Sequence, residues 1–253
     1  MNVAPEPSRV RPTRVQLLVT CLVDHFSPST AEAVVRLLER EGIEVVVPRS
    51  QTCCGQPACN AGARDDAMAM ARHTIAVLEA DPAPIVVPSG SCADMLVHQA
   101  PTLLAHDPAW SARATAVAAR TYEFTQFLVD VLGVTMSATT SGTLAYHACC
   151  HTLRGLGVDG QPKQLLAQVR DATLVELPEH DTCCGFGGLF SVKLPDISGA
   201  MLERKCRQIT ACGADTIVVT DLSCAMHMQG GLDRQGRAVR VRHIADVLAE
   251  GTT

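Results

Sequence analysis

Two cysteine constellations of the same design constrain this chain more than any other feature of its sequence. The first contains Cys21, the pair Cys53-Cys54 followed by Gly55, and Cys92. The second contains Cys150, the pair Cys183-Cys184 followed by Gly185, and Cys224. Matched in order, the cysteines of the two sets are 129, 130, 130 and 132 residues apart. This register indicates an internal duplication in which each half of the chain carries one set of four thiols.

The length, charge and composition of the chain exclude some classes of protein. The chain has 253 residues, 12 of them cysteine, and a net charge of -5. Two lobes of roughly 120 residues each have the usual size of a domain. The negative charge and the lack of a basic run argue against nucleic acid as a partner. The sequence has neither a signal-peptide-like start nor an apolar run of about 18 residues, so we expect a cytoplasmic protein without a membrane span.

Cysteine usage points to metal. Cytosolic thiols are kept reduced, so disulfides are not expected in that compartment. Twelve cysteines then need another explanation, and metal binding is the leading one.

The hydrophobic pattern alternates short apolar strands with helices in both halves. In the first half, strands are predicted at Val15–Val19, Glu44–Val47 and Ile85–Val87, and helices at 29–41, 63–79 and after Ser89-Gly90-Ser91-Cys92. In the second half, strands are predicted at Thr143–Tyr146, Thr173–Leu177 and Thr216–Val219, and helices at 161–170 and 196–211. Such alternation predicts an α/β fold of two pseudo-equivalent Rossmann-like lobes, each with a parallel sheet covered on both faces.

Domain boundaries follow from the breaks in this pattern. Residues 1–13 contain three prolines and no periodicity, so they are predicted to be a mobile tail. The first cysteine-rich lobe is predicted to span 14–136 and the second 142–253. The segment Ser137–Ser141 is interpreted as the linker between them.

The eight matched cysteines all follow predicted strands, where ligands of parallel sheets bind. Iron–sulfur clusters are commonly held by four thiolates, and adjacent cysteines can reach different irons of one cluster. The glycine after each pair permits a tight turn. We therefore predict one cluster per lobe, held by Cys21, Cys53, Cys54 and Cys92 and by Cys150, Cys183, Cys184 and Cys224. A structural zinc in one lobe and buried unligated thiols are the alternatives.

Several motifs resemble the cysteine-rich CCG-domain family, which includes the cysteine-rich subunit of heterodisulfide reductase and the iron–sulfur subunit of glycolate oxidase. The matching stretches are Gln51–Pro57, Pro88–Ala93, Arg120–Glu123, Tyr146-His147 through Cys150-His151, and Cys183–Gly188. They resemble most the small iron–sulfur subunits of three-protein L-lactate-oxidising systems. The resemblance implies clusters of the 4Fe-4S type and a subunit that relays electrons during oxidation of lactate to pyruvate. It also implies a larger iron–sulfur subunit and an accessory subunit as partners. The alternatives are a heterodisulfide or glycolate redox role, and an assembly or binding subunit whose zinc is structural.

The chain departs from its relatives at several positions. Ser89 and Asp221 stand where the cysteine-rich subunit of heterodisulfide reductase begins a CxxC, so each set has four matched cysteines rather than five. Cys149 stands where the lactate subunits usually have a small non-thiol residue, and it is either a fifth thiolate or a bystander. Cys59 is a spare ligand or a structural thiol. Cys206 and Cys212 are predicted to be small buried hydrophobes of a helix.

Histidines and cations near the cysteine loops are weaker candidates. His147, His151 and His227 are interpreted as hydrogen-bonding neighbours of the site or as surface residues, and one of them could tune a cluster potential. The segment Tyr122-Glu123 is predicted to lie in a helix.

No nicotinamide or flavin fingerprint is present, so the chain is not expected to oxidise lactate alone. A small 2-hydroxy acid bound directly would need a cation, and the candidates nearest in sequence are Arg64, Arg120, Arg154 and Lys193.

Overall fold

The structure, a computed structural model, describes residues 11–251 and contains two sheets of four strands. The strands of the first sheet are β1 (Arg14–Leu17), β2 (Glu44–Val46), β3 (Ile85–Val87) and β4 (Thr121–Glu123). Those of the second are β5 (Thr139–Tyr146), β6 (Arg170–Val175), β7 (Thr216–Val219) and β8 (Arg240–His243). The strand orders, β2-β1-β3-β4 and β6-β5-β7-β8, are equivalent, and every pairing is parallel. The predicted fold class is confirmed.

Helices connect the strands and cover the sheets. In the first half they are α1 (Cys21–Phe26), α2 (Pro28–Arg40), α3 (Gln56–Asn60), α4 (Arg64–Leu78), α5 (Gly90–Asp94), α6 (Ala100–Leu104), α7 (Ser111–Ala118) and α8 (Phe124–Gln126). In the second half they are α9 (Gly160–Leu166), α10 (Phe190–Lys193), α11 (Pro195–Cys212), α12 (Leu222–Arg234) and α13 (Ile244–Leu248). In the described part of the chain, three π-helical segments occur at Met95–Gln99, Phe127–Val131 and His151–Gly155. Within residues 11–251, none of these helices has the length and apolarity needed to cross a membrane.

Three sequence-based expectations need correction. Each sheet has a fourth strand that was not predicted, β4 or β8, because these strands are short and carry polar residues. The segment Tyr122-Glu123 lies in β4 rather than in a helix, and Glu123 caps the following helix α8. The expected linker 137–141 includes the first residues of β5, since Thr139 already pairs with Arg170. For the expected tail, residues 1–10 lie outside the described part of the chain.

The two lobes share a hydrophobic core. Side chains alternate across each strand, so Val86 of β3 faces this shared core while Ile85 and Val87 face a core of the first lobe alone. In the second lobe Val218 of β7 faces the shared core in the same way. Helices α2 and α13 meet between the sheets, where Thr30 Oγ1 donates a hydrogen bond to Asp246 Oδ2 at 3.0 Å. The two lobes therefore also contact each other through these helices.

Glu123 is a fully buried carboxyl group near this core, and it should make stability depend on pH. Burial raises the pKa of Glu123 from 4.5 to about 7, against the opposing hydrogen bonds from Thr125 and Gln126. Between these two values the folded chain binds the proton more tightly than the unfolded chain does, so stability falls as the pH rises through this window. We expect Glu123→Gln to raise the free energy of unfolding at pH 8 by up to about 3 kcal/mol.

Urea unfolding between pH 4.5 and 8 would test this expectation. The wild type should lose stability relative to Glu123→Gln as the pH increases. Glu176→Gln is the control, because Glu176 is exposed. Parallel curves for wild type and Glu123→Gln would contradict the assignment.

Candidate metal centre

The carboxyl ends of the parallel strands bring the eight matched cysteines into one place. Cys21 begins α1 shortly after β1, the pair Cys53-Cys54 follows β2, and Cys92 lies in α5 after β3. The second lobe repeats this arrangement after β5, β6 and β7. All eight cysteines, together with Cys149, line a single cavity of about 490 Å³. The two sets therefore face a common space between the lobes.

In the first set, the neighbouring thiols of Cys21 and Cys54 lower the pKa of Cys53 below its ordinary value. The pKa of Cys21 is raised in turn, chiefly by its interaction with Cys53. Cys54 and Cys92 are buried. The set can thus carry negative charge shared among close sulfur atoms, which is what binding of a thiophilic metal requires.

The second set repeats this electrostatic pattern. The thiols of Cys150 and Cys184 lower the pKa of Cys183 below its ordinary value. The backbone N–H of Gly185 donates to Cys183 Sγ at 3.4 Å, and Cys184 Sγ lies 3.4 Å from Cys224 Sγ. All twelve cysteines of the chain have free thiols. The duplication in sequence is therefore also a duplication in geometry and charge.

The glycine after each cysteine pair adopts the backbone conformation of a tight turn. Gly55 has φ +92° and Gly185 has φ +95°, a left-handed conformation that favours glycine. A Cβ on Gly185 would lie 2.8 Å from the Cβ of Met201 in α11, and one on Gly55 would lie 3.1 Å from the Cβ of Met70 in α4. The predicted tight turn is present. The close approach that it allows is to a helix behind the loop.

A buried carboxylate joins the two sets across the lobe boundary. Asp221 Oδ2 accepts hydrogen bonds from Ser89 Oγ and from the backbone N–H of Ser91, both at 2.9 Å. Its Oδ1 accepts from the backbone N–H and the hydroxyl of Ser223 at 3.1 and 2.6 Å. Ser89 and Asp221, which precede Cys92 and Cys224 by three residues each, thus bond to each other. They fix the loop of Cys92 against the loop of Cys224.

A second polar network reaches the cavity through His151. Its Nδ1 lies 2.7 Å from Asp94 Oδ2, and Asp94 Oδ1 lies 2.9 Å from Nδ1 of His98. Burial alone would raise the pKa of Asp94, but the hydrogen bonds with His151 and His98 outweigh it and lower that pKa. The same bond to Asp94 raises the pKa of His151. Nε2 of His151 lies 3.3 Å from Nε2 of Gln56, which also lines the cavity.

The three histidines singled out in the sequence are not simple surface residues. His147 is fully buried, and burial lowers its pKa to about 3. His151 lines the cavity. His227 packs edge-on against Phe186, a cavity residue, with ring centroids 5.6 Å apart. The expectation of hydrogen bonding next to the site holds for His147 and His151, and surface placement is contradicted for the fully buried His147.

The remaining candidates lie away from the cavity. Cys206 is buried in α11, as expected, and Cys212 ends that helix half-buried. Cys59 lies in α3 and does not line the cavity. The same is true of all four cations proposed from sequence, and three of them donate to backbone carbonyls instead: Arg64 to Leu103, Arg120 to Leu78 and Ala83, and Arg154 to Asp181. Proximity in sequence misled because none of these four residues lines the cavity, even though residues adjacent to Arg64 and Lys193 do.

Asp94 and Gln56 were not singled out from the sequence as functional candidates. Asp94 follows Cys92 by two residues and Gln56 follows Cys54 by two. This proximity in sequence was the signal that could have identified them. Asp94 is buried and charged, which is rare unless the group is paired. Its partner His151 is 57 residues away in sequence, so the pair is visible only in three dimensions.

The donor set fits an iron–sulfur group. Each set offers four sulfur donors, and the cavity wall is otherwise mainly apolar, with Leu22, Pro57, Phe186 and Leu189 among its residues. Thiolates are the usual ligands of such clusters, and an apolar wall limits access of water. Zinc also accepts four thiolates. The chemistry of the donors is therefore that of a thiophilic metal centre.

Known proteins were compared with the sequence and the fold. The sequence matches the family described as "Cysteine-rich domain" (CCG) over residues 15–97 and 144–229. It is similar to Lactate utilization protein A of Exiguobacterium sp., with 47% identity over 239 residues that cover 94% of this chain and 97% of that protein. The protein of the same name from Bacillus cytotoxicus is 47% identical over 236 residues, covering 93% and 98%.

Among solved structures, a hypothetical protein from Helicobacter pylori has a TM-score of 0.66 and 11% sequence identity. The match covers 96% of this chain and 50% of that one, so the chain spans about half the length of this structural relative. At this identity the likeness concerns the fold alone.

Proposed function

This chain belongs to the CCG cysteine-rich domain family, and on that premise we propose that it is the small iron–sulfur subunit of a cytoplasmic L-lactate-oxidising system. In this role it relays electrons released when lactate is converted to pyruvate. The observation that carries the proposal is the pair of four-thiol sets lining one cavity. Relatives named for lactate utilization, similar over nearly the whole chain, support the substrate class.

We assign one cluster of the 4Fe-4S type to each lobe. Its ligands are Cys21, Cys53, Cys54 and Cys92 in the first lobe and Cys150, Cys183, Cys184 and Cys224 in the second. When bound, such clusters accept and donate single electrons. The chain's own residues supply the thiolates, hold the two loops at a fixed separation through Asp221 and Ser89, and restrict water with apolar walls.

The lining of the cavity favours a relay over a site of lactate oxidation. A 2-hydroxy acid carries a carboxylate, and a site for it should offer a cation. Among the described residues that line the cavity there is no lysine or arginine, and His151 is the one basic side chain. We therefore place the oxidation of lactate at a partner, and we expect a larger iron–sulfur subunit and an accessory subunit to complete the system.

The test is lactate-dependent reduction of an artificial electron acceptor by the purified, cluster-loaded chain. We expect no turnover by the chain alone and turnover when the two partner subunits are added. Full activity of the isolated chain would overturn the relay assignment. Activity of the mixture with glycolate or a heterodisulfide, but not with lactate, would retain the redox role and change its substrate.

A further inference from the structure

The two lobes differ at the loop that follows their first strand. Matching Cys21 with Cys150 aligns Leu18 with His147 and Thr20 with Cys149. Leu18 and Thr20 are both buried. Leucine offers a metal no donor atom and threonine only a hydroxyl, whereas the second lobe has an imidazole and a thiol at these positions. The second set therefore has two additional donors that the duplicated pattern does not predict.

His147 has the hydrogen bonding of a metal ligand. Its Nδ1 faces the backbone carbonyl of His180 at 3.1 Å, and a carbonyl can only accept, so Nδ1 carries the proton. Nε2 then presents a lone pair. It is buried and has no hydrogen-bond partner within residues 11–251. Metal-binding histidines commonly show this pattern, in which one ring nitrogen donates to a carbonyl and the other binds the ion.

Two thiols lie close to this imidazole. A ring nitrogen of His147, Sγ of Cys149 and Sγ of Cys224 all lie within 4.8 Å of one another, and the three residues are buried. Cys184 Sγ, 3.4 Å from Cys224 Sγ, is available as a fourth donor. One nitrogen and three sulfur donors form a combination typical of structural zinc.

We propose that His147, Cys149 and Cys224 form a site for a single thiophilic divalent cation, Zn²⁺ in the first instance, in the second lobe alone. Cys224 is also a ligand in the proposed cluster, so the second lobe holds either the ion or a cluster. The statement that the ion and the cluster exclude each other rests on the proposed function, whereas the ion site itself does not. The two thiolates of Cys149 and Cys224 would balance the charge of the ion.

The matched variants replace each extra donor with the residue at the equivalent position of the first lobe, giving His147→Leu and Cys149→Thr. The metal-free full-length chain is loaded with Zn²⁺ under anaerobic conditions, and its zinc X-ray absorption spectrum is recorded. The wild type should show scattering from a histidine ring, and His147→Leu should not. Cys149→Thr should keep the imidazole feature with fewer sulfur neighbours. Cys21→Ser, altered in the first lobe, should keep the whole second-lobe signal.

Zinc affinity provides a second measurement. Loss of a direct ligand should weaken the second-lobe site by at least the roughly 10- to 100-fold seen when a supporting partner of a ligand is lost. No imidazole scattering in the wild type, or unchanged scattering in His147→Leu, would overturn the proposal. Circular dichroism of each variant shows whether it has folded, and Cys149→Thr keeps the proposal testable if His147→Leu does not.

Competition separates this inference from the proposed function. Zinc added before cluster reconstitution should lower iron incorporation by about one cluster of the two in the wild type. The loss should be smaller in Cys149→Thr, because that variant binds zinc more weakly. If zinc-free wild type forms no cluster, the proposed function fails while the zinc spectrum still stands. If two clusters form and the imidazole signal is absent, the ion site fails and the proposed function stands.

Discussion

Serine at position 54 or 184 should lower the iron and sulfide bound per reconstituted chain by about one cluster. Cys54 and Cys184 are each the buried member of a cysteine pair, and each lies among the other thiols of its set. A serine hydroxyl is a far weaker ligand for iron than a thiolate. Because the site is buried, no exposed group is at hand to replace the lost thiolate as a ligand. Iron and acid-labile sulfide analysis, with the visible absorbance that dithionite bleaches, measures the effect.

Cys206→Ser and Cys212→Ser are the matched controls for this experiment. Both residues lie in α11 and neither lines the cavity. They should bind as much iron as the wild type does. Equal loss of iron from both groups of variants would refute the ligand assignment, since it would show that the loss does not depend on removing a ligand.

Alanine at position 90 should destabilise the protein by about 3 kcal/mol or more, because the lobes meet closely there. A Cβ on Gly90 in α5 would lie 1.8 Å from Thr152 Oγ1 and 2.9 Å from both the Cβ and the backbone nitrogen of Thr152. Rotating the threonine side chain cannot relieve a clash that includes its backbone. Thr152 Oγ1 is also bonded to Thr220 Oγ1 at 2.9 Å. The lobes must separate to admit the methyl group.

The consequence extends to both thiol sets, since Gly90 precedes Cys92 by two residues and Thr152 follows Cys150 by two. We expect a lower urea midpoint and reduced iron in both lobes. Gly199→Ala is the control, because a Cβ there would meet nothing within 4 Å in the helix α11. Replacing a helical glycine with alanine should raise stability slightly, by about 0.5–1 kcal/mol. A Gly90→Ala variant as stable as the wild type would contradict the close contact between the lobes.

Local pattern predicted the strands that precede the matched cysteines, but it missed the helices α1 and α12, in which Cys21 and Cys224 lie. The third strand was predicted with its observed bounds, Ile85–Val87, and the long helix after the second cysteine pair was predicted as 196–211 and observed as Pro195–Cys212. The fourth strand of each sheet was missed. Those strands are only three or four residues long, and their polar residues give no apolar run to detect.

The sequence alone was sufficient for the two thiol sets, their duplication and the parallel sheets, because these follow from spacing and periodicity along the chain. It did not predict that both sets line one cavity, or that Asp221 bonds to Ser89, or that His147 is buried with a free lone pair. It also suggested cations that lie elsewhere. These features depend on how two sheets pack around a shared core, which brings together residues some 130 positions apart. Contacts of that kind arise from long-range packing and burial, and no local periodicity along the chain specifies them.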